Sequence, residues 1–222
     1  MSSTSGEIFK ITTFGESHGP GVGVVIEGIP GGLTLDIERI QRELTRRRPG
    51  QNYLTTPRKE EDRLEILSGL YEGRTLGTPL TILVTNTNQR KTDYTDLETI
   101  YRPSHADYTY EMKYGFRTPH GGGRASVRET IGRVAAGAIA AQILEEELGL
   151  RTIAYVASIG PISLADDVVP LSIAEVDESL VRCPDAKTSE QMVSHIEKIK
   201  KEGDSTGGTI KVIVRGVPPG LG

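Results

Sequence analysis

Apolar positions recur along the chain with two different periods. Val22 to Glu27 is a β-branched run bounded by glycines, which predicts a strand, and Gly28-Ile29-Pro30-Gly31-Gly32 predicts the turn that ends it. Leu33, Ile37, Ile40 and Leu44 then fall on one helical face, with Asp36 able to cap the start and Arg46-Arg47-Arg48 closing the helix before Pro49. Leu64 to Leu67, Pro79 to Val84 and Ile153 to Ile159 predict further strands. Asn86 to Tyr114 is polar, rich in tyrosine and without sustained period, which predicts a long functional loop. Thr188 with Gln191 predicts a capping box opening a helix through Met192, Ile196 and Ile199.

Val127 to Leu148 carries the strongest helical signal. Its middle, Val134-Ala135-Ala136-Gly137-Ala138-Ile139-Ala140-Ala141, is apolar on every face, so burial from all sides is expected. A helical layer with sheet on both faces achieves that, and the fold class predicted is α+β, a β-α-β sandwich with a buried helical layer between antiparallel sheets.

The strand-and-turn near the start has a copy near the end. Ile210-Lys211-Val212-Ile213-Val214-Arg215 followed by Gly216-Val217-Pro218-Pro219-Gly220-Leu221 mirrors Val22 to Glu27 followed by Gly28 to Leu33. The copy ends where its helix would begin, so an internal structural repeat in a longer parent is expected, with residues 1–222 forming a single incomplete domain.

Composition narrows the class. The chain has 222 residues, of which 36% are hydrophobic and 25% charged, as in a globular protein. No apolar run is long enough to span a membrane and the N-terminus lacks the layout of a secretion signal, which predicts a cytoplasmic protein. One cysteine, Cys183, excludes an internal disulfide framework and a multi-thiolate metal site. A net charge of −4 argues against a general nucleic-acid binder.

Three stretches gather groups that can do chemistry. Phe14-Gly15-Glu16-Ser17-His18-Gly19-Pro20-Gly21 places a hydroxyl beside an imidazole in a glycine-flanked turn, without the G-x-S-x-G elbow of a serine hydrolase. His120-Gly121-Gly122-Gly123-Arg124-Ala125-Ser126-Val127-Arg128-Glu129 is a glycine-rich loop running into the strong helix, suited to an anion or a flavin phosphate, though it is neither a Walker loop nor a G-x-G-x-x-G fingerprint. Arg102-Pro103-Ser104-His105-Ala106-Asp107 brings a second histidine beside Arg and Asp, and Arg46 to Arg48 adds guanidinium groups suited to carboxylate and phosphate. His195, in a polar helical stretch, is expected at the surface. These groups fit an enzyme acting on a small anion, and equally a noncatalytic module that grips a phosphorylated ligand or an acidic partner; an RNA binder fits less well, given the acidic charge.

Taken in order, these motifs closely resemble those of the chorismate synthases. The signatures are Gly15-Glu16-Ser17-His18-Gly19 and Gly123-Arg124-Ala125-Ser126-Val127-Arg128-Glu129-Thr130-Ile131-Gly132-Arg133, with Arg46 to Gly50, Arg102 to Asp107, Lys201 to Ser205 and Gly216 to Gly222 also matching. The resemblance implies a homotetrameric β-α-β sandwich enzyme that converts 5-enolpyruvylshikimate 3-phosphate to chorismate by anti-1,4 elimination of phosphate, with reduced FMN and, in some members, NADPH as the flavin reductant. It implies His18 as the acid for the departing phosphate, His105 beside the flavin, and Ser17 assisting by hydrogen bonding. It further implies Arg124, Ala125 and Ser126 as the FMN site, and Arg48, Arg102 and Arg128 as holders of substrate anions. It implies no metal, nucleic acid or membrane. Ser104 stands where the family usually has glycine, and the family's C-terminal part, with its flavin-binding loops, lies outside this sequence, so the 222 residues alone are expected to be inactive.

Overall fold

Alternation of β-branched and small residues drives the first sheet. Strands β1 (Thr4–Ser5), β2 (Lys10–Gly15), β3 (Gly21–Glu27), β4 (Leu64–Ser68), β5 (Leu70–Tyr71), β6 (Arg74–Thr75) and β7 (Leu80–Thr85) occupy the first part of the chain. Five of them form an antiparallel sheet in the order β1-β2-β3-β7-β4, and β5 and β6 form a small hairpin. The computed structural model describes residues 3–56, 60–87, 100–118 and 122–221. In it the chain divides into two compact units, Met1–Gln51 with Pro57–Gln142, and Asn52–Thr56 with Ile143–Gly222.

In the first unit, register places Val22 opposite Val84, Val24 opposite Ile82 and Ile26 opposite Leu80. All six side chains are buried, as are Ile40 and Leu44 of helix α1 (Ile37–Arg47). Full burial of each such side chain is worth ~1.5–3 kcal/mol. Asp36 caps α1 by accepting from the Arg39 amide at 2.8 Å, as its position before the apolar stripe predicts. Gln41 on the same helix donates to the Asp62 carbonyl and accepts from the Leu64 amide, which fixes the entry to β4.

The polar stretch after β7 contains a short helix, α2 (Asp107–Tyr114), which its weak apolar period did not predict; residues 88–99 of the predicted loop lie outside the described residues. Two 3-10 turns, Gly123–Ala125 and Val127–Glu129, come next, so the glycine-rich loop does not run straight into the long helix α3 (Thr130–Leu148). Helix α3 buries Ile131, Gly132, Ala135, Ala136, Ala138, Ile139 and Gln142, whereas Arg133, Gly137 and Leu144 are exposed. The expectation of burial on every side is therefore corrected: one stripe of α3 is open in this chain.

Gly132 shows why α3 can lie so close to the sheet. A Cβ there would stand 2.8 Å from the Gly23 carbonyl oxygen and 3.0 Å from the Thr13 methyl. Gly132→Ala is expected to destabilise the first unit by ~1–3 kcal/mol despite its better helix propensity. Gly137→Ala, with nothing within 4 Å of the added carbon, is expected to stabilise by ~0.5–1 kcal/mol. Denaturant midpoints of the two variants check the pair.

The second unit carries a three-stranded antiparallel sheet of β8 (Arg151–Ile159), β9 (Ile162–Ser163) and β10 (Gly208–Arg215), in the order β10-β8-β9. Alternation along β8 turns Ile153, Tyr155, Ala157 and Ile159 into a core shared with Leu164, Val176, Val181, Cys183 and Met192. Helices α4 (Ile173–Asp177) and α5 (Ala186–Lys201) supply Val176 and Met192. The α5 cap is Asp185, whose carboxylate accepts from the Thr188 amide at 2.7 Å, and not Thr188 as the capping-box pattern suggested. Cys183 is buried and burial pushes its thiol above the usual range, so it is poorly suited to reaction. His195 is half-buried against the β8–β9 turn and bonded to Thr206 Oγ1 at 3.2 Å, not free on the surface as expected.

The repeat seen in the sequence extends to the backbone. Both copies form strands, β3 and β10, and the glycines that follow each adopt matching left-handed conformations: Gly28 with Gly216, at φ of 81° and 76°, and Gly32 with Gly220, at 87° and 91°.

Candidate active site

The Ser17–His18 turn joins β2 to β3 at the strand ends of the first unit's sheet. Gly15 enters it at φ 85°, with the Gly21 carbonyl so close that no side chain fits there. Within the turn, the Gly19 amide donates to the Glu16 carbonyl at 3.1 Å, and the Ser17 amide donates to the Gly123 carbonyl at 3.3 Å. The two motifs, more than 100 residues apart in sequence, are thus hydrogen-bonded neighbours. Ser17 is buried, and its Oγ lies 2.9 Å from His18 Nδ1. A hydroxyl there can accept the Nδ1 proton of a charged ring and hold its orientation.

Arg124 fastens this arrangement from the loop side. It donates to the carbonyls of Gly15 (3.1 Å) and Thr13 (3.2 Å) and to the hydroxyls of Thr13 (2.8 Å) and Ser3 (3.2 Å), with Glu129 nearby at 3.5 Å. Much of its donor capacity is spent on β2. Ser126 accepts from the Arg128 amide at 3.3 Å and remains half-buried, while Ala125 is exposed.

Arg128 is more deeply committed. It is 6% exposed, and its guanidinium meets Asp62 Oδ1 at 2.8 Å, Glu60 Oε2 at 2.7 Å and Asn86 Oδ1. The other Asp62 oxygen lies 3.3 Å from Arg47, whose guanidinium is pushed down by burial and back up by Asp62. Asp62 itself takes φ 48°, a conformation aspartate tolerates better than most residues. Two cations and two anions therefore balance inside the fold. None of Glu60, Asp62 or Asn86 was singled out in the sequence, because their contacts with Arg128 span 42 or more positions and no local pattern marks them. Arg48 differs: its Nε is buried with no hydrogen-bond partner among the described residues, a donor still available to an anion.

Arg102 and His105 form a second cluster on the 100–118 segment. Arg102 forks onto Asp107 with two contacts of 2.8 Å, and its amide adds a third at 3.1 Å. Those side-chain bonds hold the Asp107 carboxyl at about 2, below the ordinary carboxylate range. Because its folded pKa is depressed, the pairing contributes stability above pH ~4 and loses it as pH falls through about 2. Acid titration over that window is expected to loosen α2 before the β3 and β7 amides exchange, as followed by hydrogen exchange. His105 is exposed, and its Nδ1 contacts the Pro103 carbonyl at 2.9 Å; a carbonyl only accepts, so in the neutral ring Nδ1 carries the proton and Nε2 is the basic atom. Ser104 holds φ 59°, the left-handed geometry that glycine would take without strain. Thr118, at the end of this segment, borders Gly123. His120 lies outside the described residues.

The described residues include no group of three or more His, Cys, Asp and Glu placed to hold a metal ion, and no helix long and apolar enough to cross a membrane. The fold and the residues gathered on it define a mixed helix and antiparallel-sheet protein carrying an imidazole–hydroxyl pair among clustered arginines. Comparison narrows that class to one family. Residues 9–222 match the family model for chorismate synthase, and the chain belongs to the chorismate synthase family. It is 54% identical to a chorismate synthase of Leptospira biflexa over its full length, covering 59% of that relative, and 54% identical to one of Thermosynechococcus vestitus, covering 61%. A crystal structure of a chorismate synthase superposes with a TM-score of 0.76 at 32% identity, over 98% of this chain and 61% of that one. The chain thus spans about three-fifths of the length of the relatives it matches.

Proposed function

We propose that residues 1–222 are an incomplete single domain of a protein that converts 5-enolpyruvylshikimate 3-phosphate to chorismate, a carbon–oxygen lyase of aromatic amino acid biosynthesis. The observation that carries this reading is the family match from residue 9 to residue 222, supported by the contact that joins the Ser17–His18 turn to the Gly123 loop. His18 protonates the departing phosphate: with Ser17 Oγ accepting from Nδ1, Nε2–H is the acid. The unpartnered Arg48 Nε suits a substrate anion.

Reduced FMN, when bound, supplies an electron-rich partner beside the substrate with no net redox change. On this chain, exposed Ala125 and the Ser126 hydroxyl fit as its contacts, and Arg124 holds their loop against β2 while contributing what donor capacity it has left. His105 Nε2, the basic atom when Nδ1 donates to the Pro103 carbonyl, would exchange a proton with the flavin. Arg128 reaches substrate only by giving up some of the contacts it now makes, whereas Arg102 commits Nε and Nη2 to Asp107. The full-length protein is read as a cytoplasmic homotetramer acting without nucleic acid or membrane, with NADPH as a candidate flavin reductant. Anaerobic assay of the full-length protein with reduced FMN and 5-enolpyruvylshikimate 3-phosphate is expected to yield chorismate, and the 222-residue chain none. Absence of product from the full-length protein would overturn the reading.

A further inference from the structure

The geometry points to Asn86 as the positioning residue of the His18 turn, an inference that rests on His18 being the acid. Asn86 leaves β7 at its C-terminal end and is 8% exposed. Its Nδ2 faces three carbonyl oxygens of the turn, those of Glu16 (2.8 Å), Ser17 (3.3 Å) and Gly19 (2.7 Å). Its own amide donates to the Pro20 carbonyl at 3.0 Å. One side chain therefore gathers carbonyls from both sides of His18, drawing the turn's acceptors inward.

The orientation of that amide is not arbitrary. Three carbonyls can only accept, so the atom facing them must be the NH2 group, and Arg128 Nε can only donate, so the atom facing it must be the oxygen. Arg128 is in turn held by Glu60 and Asp62. The buried ion network thus fixes Arg128, Arg128 fixes the Asn86 amide, and the amide fixes the backbone that presents His18. Asn86 touches no group that the proposed reaction transfers; its effect passes through His18.

Asn86→Asp is the discriminating change, since it sets an oxygen against three carbonyls at nearly constant volume; Asn86→Ser, which keeps a hydroxyl donor, is the second variant. In the 222-residue chain, amide protection at Glu16 and Gly19 is expected to fall ~10-fold or more in both variants while Val24 and Ile82 keep theirs, and the His18 ring resonances are expected to move. Uniform loss of protection across the sheet, or unchanged His18 resonances, would overturn the inference. In the full-length protein Asn86→Asp is expected to lower kcat with little change in KM, and to add nothing to His18→Ala in the double variant. A full multiplicative loss in that double variant would also overturn it. If the full-length protein forms no chorismate, the functional reading fails while the resonance arm still decides whether Asn86 orients the histidine.

Discussion

Full-length protein carrying His18→Ala is expected to form chorismate ~10²-fold or more slowly than the unaltered protein, the usual cost of losing a positioned general acid. The turn itself should survive, because its backbone bonds to Gly123, Gly21 and Asn86 do not involve the imidazole. Ser17→Ala should cost less, since it removes the group that orients Nδ1 and leaves the acid in place. Chorismate release under anaerobic conditions, measured beside hydrogen exchange of the Gly19 amide, separates loss of the acid from loss of the turn. Wild-type turnover in the His18→Ala protein would remove this residue from the mechanism.

The largest effect on stability is expected at Arg128. Arg128→Met leaves Glu60 and Asp62 in the interior with one guanidinium, that of Arg47, for two carboxylates. Breaking a buried pair by removing one partner costs ~3–5 kcal/mol, and the orphaned Asn86 oxygen adds ~1–3 kcal/mol. That approaches the whole stability of an ordinary domain, ~5–15 kcal/mol. Urea unfolding of the 222-residue chain measures it. Adding Glu60→Gln and Asp62→Asn is expected to recover part of the loss, because the uncompensated charge goes with them. A loss under ~1 kcal/mol in Arg128→Met would mean the network is dispensable. Inactivity of an Arg128 variant consequently says little about substrate contact until its fold has been checked.

Elements whose signal is local were legible in the sequence. The strand at Val22, the helix at Ile37 and the long helix into Leu148 each declare themselves by period and cap, and the structure places them within a few residues. The α5 cap was misplaced because Asp185 and Thr188 both fit the cap vocabulary, and only the contact geometry separates them. The open stripe of α3 was misjudged because alanine and glycine read as apolar wherever they point. The family resemblance implies roles for His18 and for Arg124 to Ser126, but no residue pattern predicts the backbone contact between the His18 turn and the Gly123 loop. The commitments of Arg124 and Arg128 were not legible at all, since a guanidinium that grips its own fold and one that awaits an anion have the same neighbours in sequence. Asn86 was hidden for the same reason: its partners sit 42 to 70 positions distant, and nothing in Thr85-Asn86-Thr87 hints at them.

The paired repeats end in unequal company. Strand β3 is hydrogen-bonded on both flanks, by β2 and β7, whereas its twin β10 has β8 on one side and, among the described residues, no strand along the other. Ile210, Val212 and Val214, alternating along one face of that strand, stand 67%, 60% and 45% exposed. A bare, branched-aliphatic margin of eight residues is a template for any passing extended chain, so in concentrated solution this border is where molecules would zip onto one another and precipitate.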